Sequence, residues 1–375
     1  MICLLERTVH LKKLKNCLWL HGASLGECRV LMQVALRLKT DLPEQIPVLI
    51  TTQKAEVFTY LKSWKHSLNE TQIEVSIAPL PISFFVKKFY KSVNPKAILF
   101  CENELWPAYL QIKKYDPSVF MALISGRFLR SERIPQKILP LENLSFASFQ
   151  TEEDAKAFQK KLGKYSKIKK RSVAGNWKLF GKKLYENQEN RKIDLAFVSL
   201  HFKEWKHVQN LAKNELAENK TLLFAPRRSE EIPLFKKAFS ENQILFTDYP
   251  ELKKNHISIV NTFGILPTIF PKTENAIVGG SFIRSGVHDF LEPLTFGVKT
   301  FIGNKTYGAK NLAKEFIRHK IIMQLDAFPE ELGNPEISSS EIFTFLKEKQ
   351  NLLEKNYSDL LEALKKSDFF NKIEI

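Results

Sequence analysis

The amino-acid sequence predicts an α/β protein of two domains, each built around a parallel β-sheet. At 375 residues and 43.4 kDa, the chain is longer than one hydrophobic core usually organises. Short apolar runs alternate with helical stretches, which is the pattern of βαβ units. Only the polar, charged segment at residues 181–192 interrupts this alternation. We therefore expect domains at residues 1–180 and 193–339 with a linker at 181–192, and a helical segment at 340–375 that either braces both domains or lies free.

The first domain opens with a βα unit. Residues 17–21 (CLWLH) form an apolar run, the GASLG sequence follows, and a helix is expected from Glu27 to about Lys39 because apolar residues recur there at helical spacing. Further strands are predicted at residues 47–52, 73–80, 94–100, 119–125, 143–150 and 167–176, and helices at 55–64, 82–92 and 152–162. This order predicts a parallel sheet covered by helices.

The second domain repeats the pattern. Strands are predicted at residues 195–201, 221–228, 244–249, 256–261, 275–281, 299–304 and 321–325, with helices near 204–218 and 232–239. The carboxyl ends of parallel strands lie at one edge of a sheet, and ligands of open α/β sheets gather there. Functional side chains are therefore expected where the strands end.

Composition excludes several classes of protein. No stretch approaches the roughly 20 apolar residues of a membrane helix, and the N-terminus is too charged for a secretion signal. The four cysteines all lie within the first 101 residues without CxxC spacing. This argues against a zinc site or a disulfide framework and fits a reducing cytosol.

Positive charge is concentrated in the first half. The formal net charge is +16, and residues 1–180 hold 29 Lys and Arg against 15 Asp and Glu, whereas the rest of the chain holds 28 against 26. A basic half could face nucleic acid, an anionic membrane or an acidic substrate. It could equally be a solvated surface with no partner.

Carboxylates follow two strands of the first domain. Glu27 comes after the first strand, and Glu102 and Glu104 follow the strand at 94–100. A rigid strand-to-helix turn can hold a general base in a fixed position, which makes Glu27 the candidate. The alternative is an ordinary first-turn Glu that only complements the helix dipole. Trp106 is expected to be largely buried beside Glu102 and Glu104, one of which would orient backbone or the Glu27 loop.

Anion-binding groups follow three strands of the second domain. Ser199 and His201 end one strand, Arg227 and Arg228 end the next, and the segment 278–297 (VGGSFIRSGVHDFLEPLTFG) follows a third. Glycine amides and a helix N-terminus in that segment would suit a phosphate, and its Glu292 would bind ribose hydroxyls. A strand-turn-helix corner whose glycines only make room for packing is the alternative. No metal-binding or P-loop motif is present, so neither a metal nor a cofactor is expected.

Several motifs occur together in the order typical of one enzyme family. They are WLHGASLGE (19–27), ENELWP (102–107), SFQTEEDAKAF (148–158), GNWK (175–178), APRR (225–228), NTFG (261–264) and GGSFIRSGVHDFLEPLTFG (279–297). The chain thereby resembles the 3-deoxy-D-manno-octulosonic acid (Kdo) transferases of lipopolysaccharide synthesis. The resemblance implies a GT-B fold, with two Rossmann-like domains facing a cleft, and inverting, metal-independent transfer of Kdo from CMP-Kdo to a lipid A precursor (lipid IVA).

The resemblance also implies roles for individual residues. Glu27 corresponds to the general base, and Glu102 and Glu104 to the carboxylates of the ExELWP motif. The residues expected to bind substrate are Ser24, Gly26, Arg127, His201, Glu204, Arg227, Arg228, Gly279, Gly280, Ser281, His288 and Glu292. Of these, Arg227, Gly279, Gly280, Ser281 and Glu292 would hold CMP, and His201 and Glu204 match a polar loop on the nucleotide side.

The chain departs from the family pattern at Arg228, Val287 and Asp289. Family members commonly begin with a hydrophobic anchor segment, whereas this sequence starts just before the first strand. The basic half is then expected to hold the anionic surface of the inner membrane, at its cytoplasmic face, electrostatically. Two alternatives within the enzyme class are a GT-B transferase of another activated sugar and a weakly active homologue. A basic nucleic-acid-binding protein is the alternative of another class, but nucleic acid is not expected because the Lys and Arg are not interleaved with aromatic residues.

Overall fold

The structure, a computed structural model, describes residues 14–43, 45–68, 72–128, 139–162, 168, 170–186, 191–262, 264–333 and 336–367. The chain divides into two compact units. The first comprises Met1–Gly181 and Lys349–Ile375, and the second Lys182–Glu348. Each unit contains one seven-stranded sheet whose strand pairs are all parallel.

The first unit holds strands β1 to β7 and helices α1 to α5. The strands are β1 (Leu18–His21), β2 (Val48–Thr52), β3 (Ile73–Ile77), β4 (Ala97–Cys101), β5 (Phe120–Gly126), β6 (Phe146–Phe149) and β7 (Lys170–Val173), and the helices are α1 (Leu25–Asp41), α2 (Ala55–His66), α3 (Ser83–Val93), α4 (Pro107–Leu110) and α5 (Glu152–Leu162). Their order in the sheet is β3-β2-β1-β4-β5-β6-β7.

The second unit holds strands β8 to β14. The strands are β8 (Ile193–Leu200), β9 (Leu222–Pro226), β10 (Phe246–Asp248), β11 (Ile257–Ile259), β12 (Thr273–Val278), β13 (Lys299–Ile302) and β14 (Ile322–Gln324), and the helices are α6 (Trp205–Ala217), α7 (Ile232–Glu241), α8 (Leu266–Ile269), α9 (Leu291–Leu294) and α10 (Lys310–Arg318). The sheet order is β10-β11-β9-β8-β12-β13-β14. The last helix, α11 (Ser339–Lys365), begins in the second unit and ends in the first.

Both sheets have the doubly wound order that positions a ligand site. The chain runs outward from β1 on one side of the first sheet and returns at β4 to continue on the other side, so the strand order reverses between β1 and β4. The second sheet reverses in the same way between β8 and β12. The loops that follow these four strands diverge, and the space between them is the usual ligand site of such sheets. The predicted class of two parallel α/β sheets is confirmed.

Apolar runs form the strands because both faces of each sheet are covered. All of β1, β2, β4, β5 and β6 are buried, as expected for parallel strands between helical layers. In the second unit the core is rich in aromatic rings. Phe224 of β9 is fully buried and lies against the rings of Phe197, Trp205, Phe235 and Phe239.

The aromatic core predicts a large cost for one truncation. Phe224→Ala removes a side chain that is 0% exposed and should lower the free energy of unfolding by about 3–5 kcal/mol, because the cavity forfeits contacts with four rings. Urea denaturation followed by circular dichroism measures the change. Leu245→Ala is the control, since Leu245 is 58% exposed and should change stability by less than about 0.5 kcal/mol. Equal effects of the two variants would contradict this account of the core.

Candidate active site

Three carboxylates converge at the strand reversal of the first sheet. Glu27 lies in α1, just beyond the end of β1, and Glu102 and Glu104 follow β4 directly. Glu27 is 7% and Glu102 5% exposed. The neighbouring strands β1 and β4 bring these side chains together although they are far apart in sequence, as expected from the parallel topology.

Glu27 is held by the start of its own helix. Ser24 is the N-cap of α1, and its hydroxyl accepts the Glu27 N–H at 3.2 Å. In return one carboxylate oxygen of Glu27 accepts the Ala23 N–H at 2.7 Å, and the other accepts the Ser24 hydroxyl at 2.8 Å. This is a capping box. The helix therefore begins at Leu25, two residues before the predicted start. Glu27 thus stabilises the start of its helix, whether or not it also has a catalytic role.

The environment of Glu27 disfavours its ionised form. Burial, and then the negative charges of Glu102 and Glu104, raise the pKa of Glu27 from its ordinary value of 4.5 to about 7. The N–H of Ala23 and the hydroxyl of Ser24 act in the opposite direction and are outweighed. A carboxyl group with a pKa near neutrality is suited to accept a proton and release it again.

Glu102 is fixed by an arginine on the adjacent strand end. Its backbone has a φ of 56°, in the left-handed region that non-glycine residues rarely adopt. Nη2 of Arg127 lies 2.8 Å from Oε2 of Glu102, and the Arg127 N–H donates to the Glu102 carbonyl. The sequence assigned Arg127 to substrate, and the structure places it against one of the three carboxylates.

Glu104 contacts His21 and Trp106. Nε1 of Trp106 donates to Oε2 of Glu104 at 2.8 Å, and Nε2 of His21 lies 3.7 Å from the same oxygen. Burial alone would raise the pKa of Glu104, but His21 and Trp106 outweigh it and lower that pKa. The prediction that Trp106 is largely buried is wrong, since it is 39% exposed. Its indole N–H binds the carboxylate while the ring remains at the surface.

Sequence reasoning missed two residues near the carboxylates. His21 is fully buried, and its Nδ1 lies 2.9 Å from the hydroxyl of Thr51. The side chain of Lys178 lies over Gly26, where an added Cβ would meet its Cε at 3.1 Å and its Nζ at 3.4 Å. The WLHGASLGE and GNWK motifs contain both residues. Because no local pattern gives them a partner, only their place in the fold singles them out.

Glu204 ties together the loops at the strand reversal of the second sheet. It is fully buried, follows β8, and accepts N–H groups from His201 at 2.9 Å, Gly280 at 2.8 Å and Phe282 at 3.0 Å. A carboxylate that accepts several N–H bonds is stabilised when ionised. Glu204 therefore connects the loop after β8 with the loop after β12 and shapes the place assigned to the nucleotide.

The glycine segment owes its sequence to close packing. A Cβ on Gly279 would lie 2.3 Å from the Ser199 carbonyl oxygen, and one on Gly280 would lie 2.2 Å from the Gly286 carbonyl oxygen. The Gly279 N–H donates to Val198, and that of Gly280 to Glu204. Both amides thus have acceptors within the protein, and their assignment to phosphate stays a prediction.

Two further features of the glycine segment differ from expectation. The Ser281 hydroxyl is fully buried, donates to the Val278 carbonyl and accepts the Gly303 N–H, so it supports the loop from within. Helix α9 has only four residues, and so short a helix has little dipole to offer an anion. Glu292 lies within α9 and is half-buried.

Two imidazoles and two arginines lie at the same edge. Nε2 of His288 is 3.1 Å from Nε2 of His201, across the loops that follow β12 and β8. Burial, and then the positive charges of Arg227 and His201, lower the pKa of His288 to about 4. Arg227 and Arg228 follow β9 and are exposed. Cationic donors beside a neutral imidazole are well suited to bind an anion.

Neither a metal cluster nor a membrane-spanning helix is present among the described residues. Within them, no group of three or more His, Cys, Asp or Glu side chains is arranged to hold a metal ion. No helix in the same part of the chain has both the length and the apolar composition that crossing a bilayer requires.

Comparison with known proteins shows which proteins the chain resembles. Residues 4–180 match the family profile described as 3-deoxy-D-manno-octulosonic-acid transferase (kdotransferase). The chain is 28% identical over 323 residues to the 3-deoxy-D-manno-octulosonic acid transferase of Aquifex aeolicus, with 84% of each chain covered. It is thus similar to the Kdo transferases. The Kdo transferase of Chlamydia trachomatis serovar D is 28% identical over 79% of this chain and 72% of its own, and that of Rickettsia bellii is 24% identical over 92% and 86%.

Solved structures share the fold of this protein. A glycosyltransferase from Rickettsia africae matches with a TM-score of 0.60 at 13% identity, covering 94% of this chain and all of its own. The UDP-GlcNAc 2-epimerase of Neisseria meningitidis, bound to UDP-GlcNAc, matches with a TM-score of 0.56 at 13% identity, covering 93% and 100%. These likenesses confirm the predicted GT-B class. The resemblance to Kdo transferases and the assignment as a glycosyltransferase are also confirmed.

The contacts of Glu204 predict that this protein loses stability when the carboxylate is neutralised. Glu204→Gln keeps the size of the side chain but replaces one carboxylate oxygen, which accepts a loop N–H, by an NH2 donor. One buried N–H is then left unpaired. We expect a loss of about 3 kcal/mol in the free energy of unfolding. Urea denaturation measures it, with the exposed Glu230→Gln as control. A loss no larger than that of the control would contradict the role of Glu204.

Proposed function

We propose that this Kdo transferase moves Kdo from CMP-Kdo to a hydroxyl of a lipid A precursor, lipid IVA. The transfer is inverting and metal-independent, and it takes place at the cytoplasmic face of the inner membrane. The state of Glu27 carries the proposal: a buried carboxyl, fixed at the end of β1, with its pKa raised to about 7. A base works best when its pKa lies near the working pH, and Glu27 meets that condition.

An inverting transfer needs one base and no covalent intermediate. The acceptor hydroxyl attacks the anomeric carbon of Kdo as the bond to the phosphate breaks, and the base takes the hydroxyl proton. Glu27 takes this proton. The negative charges of Glu102 and Glu104 raise its affinity for the proton, and Arg127 holds Glu102 in place.

The second unit binds CMP in this proposal. Arg227 and His288 lie together at the end of the second sheet, and a guanidinium group recognises phosphate oxygens with paired N–H donors. Arg228 is exposed beside Arg227 and adds positive charge. Glu292 binds the ribose hydroxyls. The buried residues of the glycine segment contribute by shaping the loop.

An exposed apolar patch supports a membrane partner. Leu80, Ile82 and Phe84 precede or begin α3 and are 39%, 55% and 71% exposed. Lys87 and Lys88 on the same helix are exposed as well. Apolar side chains beside lysines suit an anionic bilayer, into which the apolar groups insert while each lysine near the surface adds about 1 kcal/mol.

The role of Glu27 predicts a specific loss of activity. Gln also fits the third position of a capping box, so Glu27→Gln should fold with its helix start intact but cannot accept the acceptor proton. We expect kcat/KM for transfer from CMP-Kdo to lipid IVA to fall about 10²–10⁴-fold. The assay follows CMP release and the mass of the lipid product. The wild-type kcat/KM should rise with pH through about 7, as Glu27 loses its proton.

A second variant tests the electrostatic part of this account. Glu102→Gln removes a negative charge that raises the pKa of Glu27, so the rise of kcat/KM should move to lower pH. Glu142→Gln, at an exposed position of the same unit, should leave both rate and pH profile unchanged. Full activity of Glu27→Gln would disprove its role as base, and a wild type that releases no CMP would favour the weakly active homologue.

The apolar patch predicts weaker membrane binding when it is made polar. Ile82→Ser and Phe84→Ser should each reduce binding to vesicles with anionic lipid about tenfold, because a buried apolar side chain contributes about 1.5–3 kcal/mol. Vesicle sedimentation over a salt series measures binding, and Leu245→Ser in the second unit is the control. Undiminished binding of both variants would contradict the proposal. Strong salt-sensitive binding to duplex DNA without sugar transfer would favour a nucleic-acid partner.

A further inference from the structure

A carboxylate and two imidazoles form a chain of neighbouring polar side chains at the end of the second sheet. Oε2 of Glu231 lies 3.8 Å from Nδ1 of His201, and Nε2 of His201 lies 3.1 Å from Nε2 of His288. Glu231 also accepts the Phe202 N–H at 3.3 Å, which fixes its carboxylate beside the loop after β8. Each of the three polar side chains comes from a different loop, so the chain exists only in the folded unit.

The outer end of this chain is Nδ1 of His288. An added Cβ on Gly280 would lie 3.0 Å from both Cδ2 and Nε2 of His288. That edge of the ring therefore faces Gly280 and His201, and Nδ1 lies on the opposite side of the ring. Arg227 is close enough to His288 to act on its charge. Nδ1 of His288 is thus the end of the chain that lies away from His201, and Arg227 acts on the same ring.

We propose that Glu231, His201 and His288 form a proton relay that delivers a proton through Nδ1 of His288 to the phosphate of the nucleotide. The relay adds a proton-transfer role to the proposed donor site, and it rests on that proposed function. Glu231 has a positioning role, since it acts through His201.

The proposed relay has one arrangement of tautomers when it holds no extra proton. The Glu231 carboxylate favours a proton on Nδ1 of His201, so Nε2 of His201 carries a lone pair. The short contact between the two Nε2 atoms then requires His288 to donate through its own Nε2–H. Nδ1 of His288 is left as an acceptor, which cannot bind an anion.

One added proton inverts this arrangement without leaving charge on His288. A proton that enters at Nδ1 of His288 displaces the Nε2 proton onto His201, which becomes an imidazolium beside Glu231. His288 stays neutral, in agreement with its pKa of about 4, but now presents an Nδ1–H donor. The charged groups around the pair are Arg227, Asp289 and the carboxylate of Glu231, and buried Glu204 lies behind the His201 N–H.

The proton balance fits the departure of the nucleotide. When the bond between the anomeric carbon and the phosphate oxygen breaks, its electron pair stays on that oxygen. The Nδ1 proton of His288 moves to the oxygen, His201 returns a proton to Nε2 of His288, and His201 becomes neutral again with Nδ1–H toward Glu231. The acceptor proton moves separately to the base, so no further reactant is needed.

The first experiment measures proton uptake when CMP binds to the full chain. Isothermal titration calorimetry at pH 8, in two buffers of different ionisation enthalpy, should show uptake of about one proton per CMP, because the phosphate draws a proton onto the relay. His201→Asn and Glu231→Gln should bind CMP about tenfold more weakly with uptake well below that of wild type. The matched controls are His319→Asn and Glu230→Gln, both at exposed positions of the second unit, and they should behave as wild type.

The second experiment observes the tautomers directly. Nitrogen NMR of protein labelled at histidine, assigned with His201→Asn and His288→Asn, should show His288 protonated at Nε2 in the free protein at pH 8. With CMP, or on acidification, His288 should be protonated at Nδ1 and His201 at both nitrogens. A His288 ring that keeps its Nε2 proton in every condition, or that itself becomes an imidazolium while His201 stays neutral, overturns the relay.

The two experiments separate the relay from the proposed function. If CMP binds without proton uptake or a change of tautomer, the relay is wrong and the donor site stands. If CMP gives no heat of binding but acidification switches the tautomers as described, the relay is supported and the choice of nucleotide is wrong.

Discussion

In a parallel sheet the carboxyl ends of all strands lie on one edge, because every strand runs in the same direction. Where the strand order reverses, the loops on either side turn away from each other and leave room for side chains and a ligand. The first sheet reverses between β1 and β4, and Glu27, Glu102 and Glu104 follow those two strands. The second reverses between β8 and β12, and the loops after them carry the two imidazoles. This topology brings together groups that no local sequence pattern connects.

At each reversal a buried glutamate accepts N–H groups of the loop that follows the central strand, but the surroundings give the two residues different chemistry. Glu204 accepts N–H groups from two loops and so joins them. Glu27 accepts similar bonds but lies near Glu102 and Glu104, and burial and repulsion raise its pKa to about 7. A glutamate thus holds a loop in each unit, and in the first unit the neighbouring carboxylates also shift its pKa.

The sequence predicted the fold well because both faces of each sheet are covered, so that every buried strand is a continuous apolar run bounded by polar turns. The same reasoning identified which strand ends carry functional side chains, but not which groups those side chains contact. Glu204 binds Gly280, 76 residues away, and no periodicity reveals such a partner. For the same reason the internal acceptors of the Gly279 and Gly280 amides were not foreseen. The exposure of Trp106 was missed because its N–H is satisfied by Glu104 at the surface.

The apolar patch of the first unit is connected to its acidic cluster by direct contacts. The Tyr109 ring packs edge-on against His21, whose Nε2 faces Glu104, and the Tyr109 hydroxyl donates to the carbonyl of Pro79, the residue before Leu80. A bilayer that received the side chains of this patch would therefore lie beside the carboxylates. The proposed acceptor, whose acyl chains stay in the bilayer while its sugar hydroxyls reach the surface, fits this arrangement. The exposed apolar side chains therefore support the proposal of an amphiphilic acceptor over a soluble sugar.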